Sequence, residues 1–415
     1  MTKTQYAIIQ FHAAVSILGY WCIHSILGIV SSSVNSTTSI LYDGFQLMLS
    51  LYVIFICRNN MQIGRHCSTL LFYMFLLFLY LIRVFIDMVD GPFSLILPTS
   101  IFMNDMFRFI GTFTAAWAMI ASWKYLNLQK IANYVFWIGF VTIICVRAKL
   151  VSMGLIDAYL EERMDAGRGL GTLALVKLSA AEVCASIHLL VSRYKTGIPH
   201  KILYILGIII GLWLNLASGS RGGVVGLVLA LGFYWIFSSR RHIFLNVLSL
   251  TSIVLIIVYV VPILEWLSHF FPIMSNRMLL TLLENDQSGR ELIRQQAWTL
   301  ILEHPILGYS YRLLPTPTGY GAHNGILNIT LALGIPIGFL FIYFVYLKVI
   351  IMSIRLTGNN SNLFAVTMAI FALVISISGS GVADSCFNFS IILLAATYYN
   401  ERFMGTQYIE HVYYH

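Results

Sequence analysis

Apolar runs long enough to cross a bilayer follow one another through this chain almost without pause, and that feature sets its folding solvent. Runs of about 17 or more residues lie at roughly 6–28, 38–57, 68–88, 106–125, 132–150, 170–192, 200–217, 222–239, 243–264, 323–350, 361–378 and 385–401, about twelve in all. With lipid as solvent, backbone N–H and C=O groups must be paired inside each segment, so the expected fold is all-α and polytopic. Period-two alternation is absent, which argues against a β-barrel. Composition agrees, with 59% hydrophobic residues, 10% charged residues and a mean hydropathy of +0.82. The opening MTKTQYAIIQFH leads into the first apolar run with no small-residue cleavage site, as an uncleaved first span would.

Twenty-five Lys and Arg stand against 17 Asp and Glu, for a formal charge of +8. In a soluble protein this excess would suggest nucleic acid; here much of it marks cytoplasmic loops. Arg58 and Arg65, Lys124 and Lys130, Arg193 with Lys195 and Lys201, Arg240 and Arg241, and Lys348 and Arg355 fall in alternate connections that lack acidic residues. The intervening connections are neutral, acidic (Asp87, Asp90, Asp105) or mixed (Asp157 to Arg168). Both termini are therefore expected in the cytoplasm. The cysteines at 22, 57, 67, 145, 184 and 386 are scattered without ligand spacing and read as small core residues, neither a metal site nor a disulfide framework.

Residues 1–415 read as a single membrane domain. One long connection, 265–322, falls between the ninth and tenth expected spans and so outside the membrane. Loops of that length in an otherwise tight bundle usually carry function.

Basic residues on the outer side are the exceptions to the charge rule: Arg147, Lys149, Arg221, Arg290, Arg294 and Arg312. A guanidinium at membrane level is costly without an anion beside it, and its fork fits phosphate oxygens. Arg221 lies in Ser218-Gly219-Ser220-Arg221-Gly222-Gly223, where small residues let backbone N–H groups approach a ligand and a helix begins with its positive end outward. A tight turn reaching for headgroups is the plainer alternative. Further on, Ser288 and Glu291 fit a capping box, so a helix should start there, with Arg290 and Arg294 on one face at i, i+4. Leu292, Ile293, Leu300 and Ile301 supply apolar surface and Trp298 an interface anchor, the pattern of a short amphipathic helix.

Gly319-Tyr320-Gly321-Ala322-His323-Asn324 then leads into the tenth span. A helix N-terminus disfavours the imidazolium, leaving His323 neutral and able to accept a hydroxyl proton, with Asn324 beside it to orient it or hold a sugar hydroxyl. A lone histidine is more often a hydrogen-bonded structural residue. Pro336, with Gly334 and Gly338, should kink and tightly pack this helix. Among embedded charges, Arg83 and Asp87 are spaced for an ion pair, Lys177 and Glu182 should neutralise each other or neighbours, and Asp43 has no legible partner. No nucleotide or metal motif is present, and no cofactor is expected.

The ordered set Ser-Gly-Ser-Arg-Gly-Gly at 218–223, S-G-R-x(7)-W-x(6)-P-I-L-G-Y at 288–309 and H-N-x(9)-G at 323–334 resembles the bacterial O-antigen polymerase and O-antigen ligase superfamily. The resemblance spans roughly 215–340, about a third of the chain; Ile337 stands before Gly338, one place off the usual glycine spacing. It implies a GT-C-like membrane glycosyltransferase of the bacterial inner membrane, with its active site facing the periplasm and no metal. The implied donor is a glycan on undecaprenyl diphosphate. Arg221 and Arg290 fall on the arginines that hold the diphosphate, His323 on the histidine that activates the acceptor hydroxyl, and Arg294, Asn324 and Arg312 are expected helpers in substrate binding. Membrane lipid, a chain-length regulator and a flippase are the implied partners, and nucleic acid is not. Polymerase is the preferred branch, with a ligase acting on lipid A-core as the alternative. A lipid-linked sugar transporter would require matched broken helices in both halves, which the sequence lacks.

Overall fold

The computed structural model describes residues 1–30, 36–58, 67–152, 171–192, 194, 197–238, 259–283, 290–314, 321–378 and 384–404, and these are helical with short connections. In chain order the helices are α1 (Lys3–Val30), α2 (Ser36–Cys57), α3 (Ser68–Asp90), α4 (Thr99–Ala121), α5 (Leu128–Ser152), α6 (Thr172–Val191), α7 (Ile198–Ala217) and α8 (Arg221–Ser238). There follow α9 (Val260–Ser268), α10 (Pro272–Leu283), α11 (Arg290–Glu303), α12 (Gly325–Leu333), α13 (Ile335–Leu356), α14 (Leu363–Ser378) and α15 (Ser385–Met404). Among the described residues nine helices are long and apolar enough to cross a membrane. The chain is thus a polytopic helical membrane protein. α4 and α15 belong to the bundle but fall outside that group of nine; α4 carries Asp105 and Arg108, and α15 ends in polar residues. Most of the expected ninth span, the basic pair Arg240 and Arg241, the stretch from Asp157 to Arg168, and Ser288 lie outside the described residues.

Burial divides the spans by composition. α6 and the α14 segment have 72% and 78% of their spans buried, whereas α2, α7 and α8 have about a third, so the first two form the centre and the others face lipid. α6 is rich in Ala and Ser, whose small side chains let neighbouring backbones approach and raise packing contact where no hydrophobic force operates. α13 holds a π-helical segment at Ile342–Leu347.

Contacts sort the helix ends onto two faces. On one, Gln10 Nε2 donates to the Tyr125 carbonyl at 2.6 Å, the Tyr234 hydroxyl donates to Asn360 Oδ1 at 3.2 Å, and Asn362 Nδ2 donates to Glu401 Oε1 at 2.9 Å. On the other, the Ser310 hydroxyl and Tyr311 N–H donate to Asp87 at 2.7 and 2.8 Å, and Lys177 pairs with Asp384. The second face carries the long connection.

The embedded charges are resolved by tertiary contacts. Arg83 Nε sits 2.9 Å from Asp87 Oδ1, as the spacing predicts. Lys177 is neutralised by Asp384, 207 residues away, and not by Glu182. Glu182 is buried with the Ser186 hydroxyl 3.5 Å away. Arg108 on α4 stands within electrostatic reach of Asp43. Lys348, read as a loop residue, lies inside α13 and donates to Ser68 Oγ at 2.8 Å.

The expected span over 323–350 is corrected. Gly334, at φ +85°, ends α12, and the membrane helix runs instead over Ile335–Leu356. Proline at the second position of α13 suits a new helix start, where its missing N–H has no partner to lose.

Candidate functional site

Two short segments meet at that break. The Ile335 N–H donates to the Pro305 carbonyl at 2.8 Å, and the Tyr309 N–H to the Leu331 carbonyl at 2.7 Å. Gly308, also left-handed at φ +75°, has the space for its Cβ filled by the Ala332 carbonyl group at 2.5 Å. Pro305-Ile306-Leu307-Gly308-Tyr309 therefore mates backbone to backbone with the end of α12. Ala297 and Ile301 of α11 pack with Leu313, Ala322 and Leu331 in a small core below this joint, fixing α11 against α12. The long connection contains α10 and α11 together with the end of α9, where the sequence predicts one amphipathic helix. Its apolar seam is Ile293, Ala297, Leu300 and Ile301, while Leu292 and Trp298 turn outward.

His323 is held by its neighbours. The Ala322 N–H donates to Asn328 Oδ1 at 2.6 Å, and Asn324 caps α12 by accepting from the N–H groups of Ile326 and Leu327 at 2.9 and 3.1 Å. Between these anchors His323 takes φ +51°, making it the only non-glycine residue with positive φ among the described residues. Left-handed backbone costs an L residue about 1–2 kcal/mol, and such strain recurs at functional sites. The ring is exposed, and its pKa lies below the ordinary histidine value. Partial desolvation is the main cause, followed by the positive charges of Arg290 and Arg294. This direction has causes other than the helix dipole: partial desolvation and two nearby positive charges. Asn324 has its Oδ1 committed to the cap and so acts on the site by shaping α12.

Arg290 opens α11 and Arg294 follows one turn later, as the i, i+4 spacing predicts. Nε of Arg294 is buried without a hydrogen-bond partner among the described residues. An unsatisfied buried guanidinium nitrogen costs free energy that an arriving anion would restore.

Arg221 starts α8 immediately after the Gly219 turn, φ +67°. Its hydrogen bonds lead to α10: Nη1 donates to the Arg277 carbonyl at 3.1 Å and to the Thr281 hydroxyl. Arg277 Nη1 returns to the Gly219 carbonyl at 2.9 Å, so two guanidinium groups cross-link the turn and α10. Arg290 and Arg294 thus act electrostatically on His323, while Arg221 is joined to Arg277. Arg277 was missed although it satisfies the same rule, a basic residue in the connection expected outside. Asn328 was missed because a buried amide in an apolar helix gives no local signal of the N–H it will accept.

Arg312 departs from the substrate-binding expectation. It has no exposed surface, pairs with Asp105 and donates from Nε to the Tyr311 hydroxyl at 2.9 Å. The Tyr311 hydroxyl in turn donates to Asp105 Oδ2 at 2.8 Å, and burial, then the Asp105 charge, raise its pKa above the ordinary phenol value. Ser310–Arg312 is therefore a plug that fastens the long connection to α3 and α4. Removing one charge of a buried pair strands the other, at about 3–5 kcal/mol. Asp105→Asn should accordingly lower the thermal unfolding midpoint sharply, and the double replacement Asp105→Leu with Arg312→Met should recover much of the loss.

Among the described residues this helical membrane bundle carries arginines and a left-handed histidine in and beside its long connection. Residues 206–343, about a third of the chain and containing Arg221, Arg277, Arg290, Arg294, Arg312, His323 and Asn324, match the model of the family described as O-antigen ligase. That match supports the O-antigen polymerase and ligase superfamily for this chain, and with it a membrane polymerase or ligase activity. No curated protein matches the sequence.

Proposed function

We propose that the protein is an O-antigen polymerase, moving a growing glycan from undecaprenyl diphosphate to a sugar hydroxyl of a second lipid-linked repeat unit at the periplasmic face of the inner membrane. The observation that carries this reading is the exposed His323 at φ +51°, anchored between Asn324 and Asn328 and within electrostatic reach of Arg290 and Arg294, which with partial desolvation lower its pKa. The neutral ring nitrogen accepts the proton of the acceptor hydroxyl as its oxygen attacks the anomeric carbon. The bond from that carbon to the diphosphate oxygen breaks, its electron pair leaves with undecaprenyl diphosphate, and the anomeric configuration inverts. Arg290 and Arg294, with Arg221 and Arg277 on the same chain face, meet the charge that grows on the leaving group.

Two features support a diphosphate ligand over a neutral one: the buried Nε of Arg294, without a hydrogen-bond partner among the described residues, and the return of guanidinium groups at 221, 277, 290 and 294. A ligase acting on lipid A-core uses the same donor chemistry, and the description of the matching family favours it as the second reading. Purified protein given only lipid-linked repeat units should build longer chains. Absence of elongation, with product formed only when lipid A-core is added, would establish the ligase instead.

A further inference from the structure

A cavity of about 520 Å³ opens between α5 and α7, away from the residues assigned above. Its lining includes Ile143, Ile144, Val151 and Ile210, with Arg147 and Trp213 as the residues carrying polar atoms. Ile144 and Val151 are about half exposed on the outside of the bundle, so the cavity is entered from the bilayer and not from the helix interior. The Arg147 guanidinium stands 5.1 Å from the Trp213 ring centre, close enough for a cation–π contact. Its Nη1 is buried and has no hydrogen-bond partner among the described residues.

A buried guanidinium N–H without an acceptor costs about 1–3 kcal/mol. The aromatic face offsets charge but accepts no conventional hydrogen bond in the plane of the fork. A ligand that enters from the bilayer and satisfies Arg147 brings an acceptor oxygen, best an anionic one, and leaves apolar substance against isoleucine and valine. A phosphate carried on a hydrocarbon chain meets all three requirements.

The cavity's position adds a role. Trp213 precedes the end of α7 at Ala217 by about 6 Å along the axis, and Ser218–Ser220 lead directly to Arg221. The cavity thus opens just beneath the face that carries Arg221, without sharing a residue with the Arg290–Arg294–His323 group.

We propose that this cavity is a second lipid-phosphate site, which seats the lipid-linked acceptor by its phosphate while the arginines near His323 hold the donor. The inference rests on the transferase reading, because a reaction between two lipid-linked glycans needs two lipid sites open to the membrane. One guanidinium in a narrow aliphatic groove selects a single phosphorylated chain.

The test uses the full-length protein in detergent, titrated with undecaprenyl diphosphate and observed by native mass spectrometry. The wild-type protein should retain two equivalents. Arg147→Gln should retain one, the lost site weakening about tenfold or more, and Arg147→Lys should recover part of the second. Phosphatidylglycerol at matched concentration should not displace either equivalent. Unchanged stoichiometry in Arg147→Gln, or equal displacement by phosphatidylglycerol, would overturn the site. Should Arg147→Gln fail to fold, Ile144→Trp fills the cavity from the lipid side without touching the guanidinium and should likewise lose one equivalent. In a transfer assay Arg147→Gln should raise KM for the acceptor and leave kcat at saturation near wild type. Two equivalents bound by a wild-type protein that transfers no glycan would end the transferase reading and leave a lipid site. Glycan transfer by a protein whose second equivalent ignores Arg147 would do the reverse.

Discussion

Replacing His323 by alanine should lower glycan transfer by about 10²- to 10⁴-fold, the usual contribution of a positioned general base, with little change in the folded protein. The ring is exposed and lies outside the Ala297–Ile301–Leu331 core, so its removal opens no cavity. His323→Gly sharpens the test. At φ +51° glycine relieves the left-handed backbone, so this variant should be at least as stable as the parent while losing transfer just as fully. Transfer surviving in either variant would remove His323 from the chemistry. The pH dependence carries a second, independent check. Because the ring's pKa lies below the ordinary histidine value, the acid limb of kcat/KM should fall below about 6.5. Arg294 opposes protonation of the ring, so Arg294→Gln should let the imidazolium form more readily and move that limb to higher pH. Movement toward lower pH would mean that the guanidinium does not act on the imidazole.

Gly334→Val should cost more stability than any single charge change at the site, and should abolish transfer without altering one ionisable group. At φ +85° and ψ 169° this residue occupies a region open essentially to glycine alone, where a side chain costs about 1–3 kcal/mol from the backbone itself. Its Cβ would also lie 2.1 Å from the Ile306 carbonyl oxygen and 3.0 Å from that of Pro305. Neither oxygen is free to retreat, because the Pro305 carbonyl accepts from Ile335 and the adjoining Tyr309 N–H is bound to Leu331. The joint must open, and with it the placement of α12 and His323 against α11 and its arginines. A clear fall in the thermal midpoint together with lost transfer is expected. Gly232→Ala provides the contrast: nothing lies within 4 Å of its added methyl, and in the interior of α8 alanine should be neutral or stabilising by about 0.5–1 kcal/mol. A Gly334→Val protein as stable as Gly232→Ala would show that the joint does not hold the site together.

Several of these features were legible in the chain alone because their causes are local. The length of an apolar run decides whether backbone groups are satisfied within lipid, so α1, α3, α5, α6 and α7 begin and end within a few residues of the expected positions. The helix start at Arg221 follows from the Ser/Gly turn before it, and the i, i+4 spacing puts Arg290 and Arg294 on one face. Arg83–Asp87 pairs for the same reason. Run length misled where an apolar stretch is divided by backbone conformation, as at Gly334, since hydropathy does not register a left-handed residue.

What tertiary structure alone decided is which of several similar residues came together. Arg294 and Arg312 read alike in the sequence, basic and on the outer side. One acts electrostatically on His323, with a nitrogen that has no hydrogen-bond partner among the described residues, and the other disappears into a pair with an aspartate 207 residues away. Lys177 passes over Glu182, five positions along its own helix, for Asp384. Such choices depend on helix rotation and on which loops cross, and no periodicity in the chain encodes either. Charge and apolar length therefore determined a membrane bundle with basic groups out of place; the packing of α11 against α12 determined which of them act on the His323 imidazole.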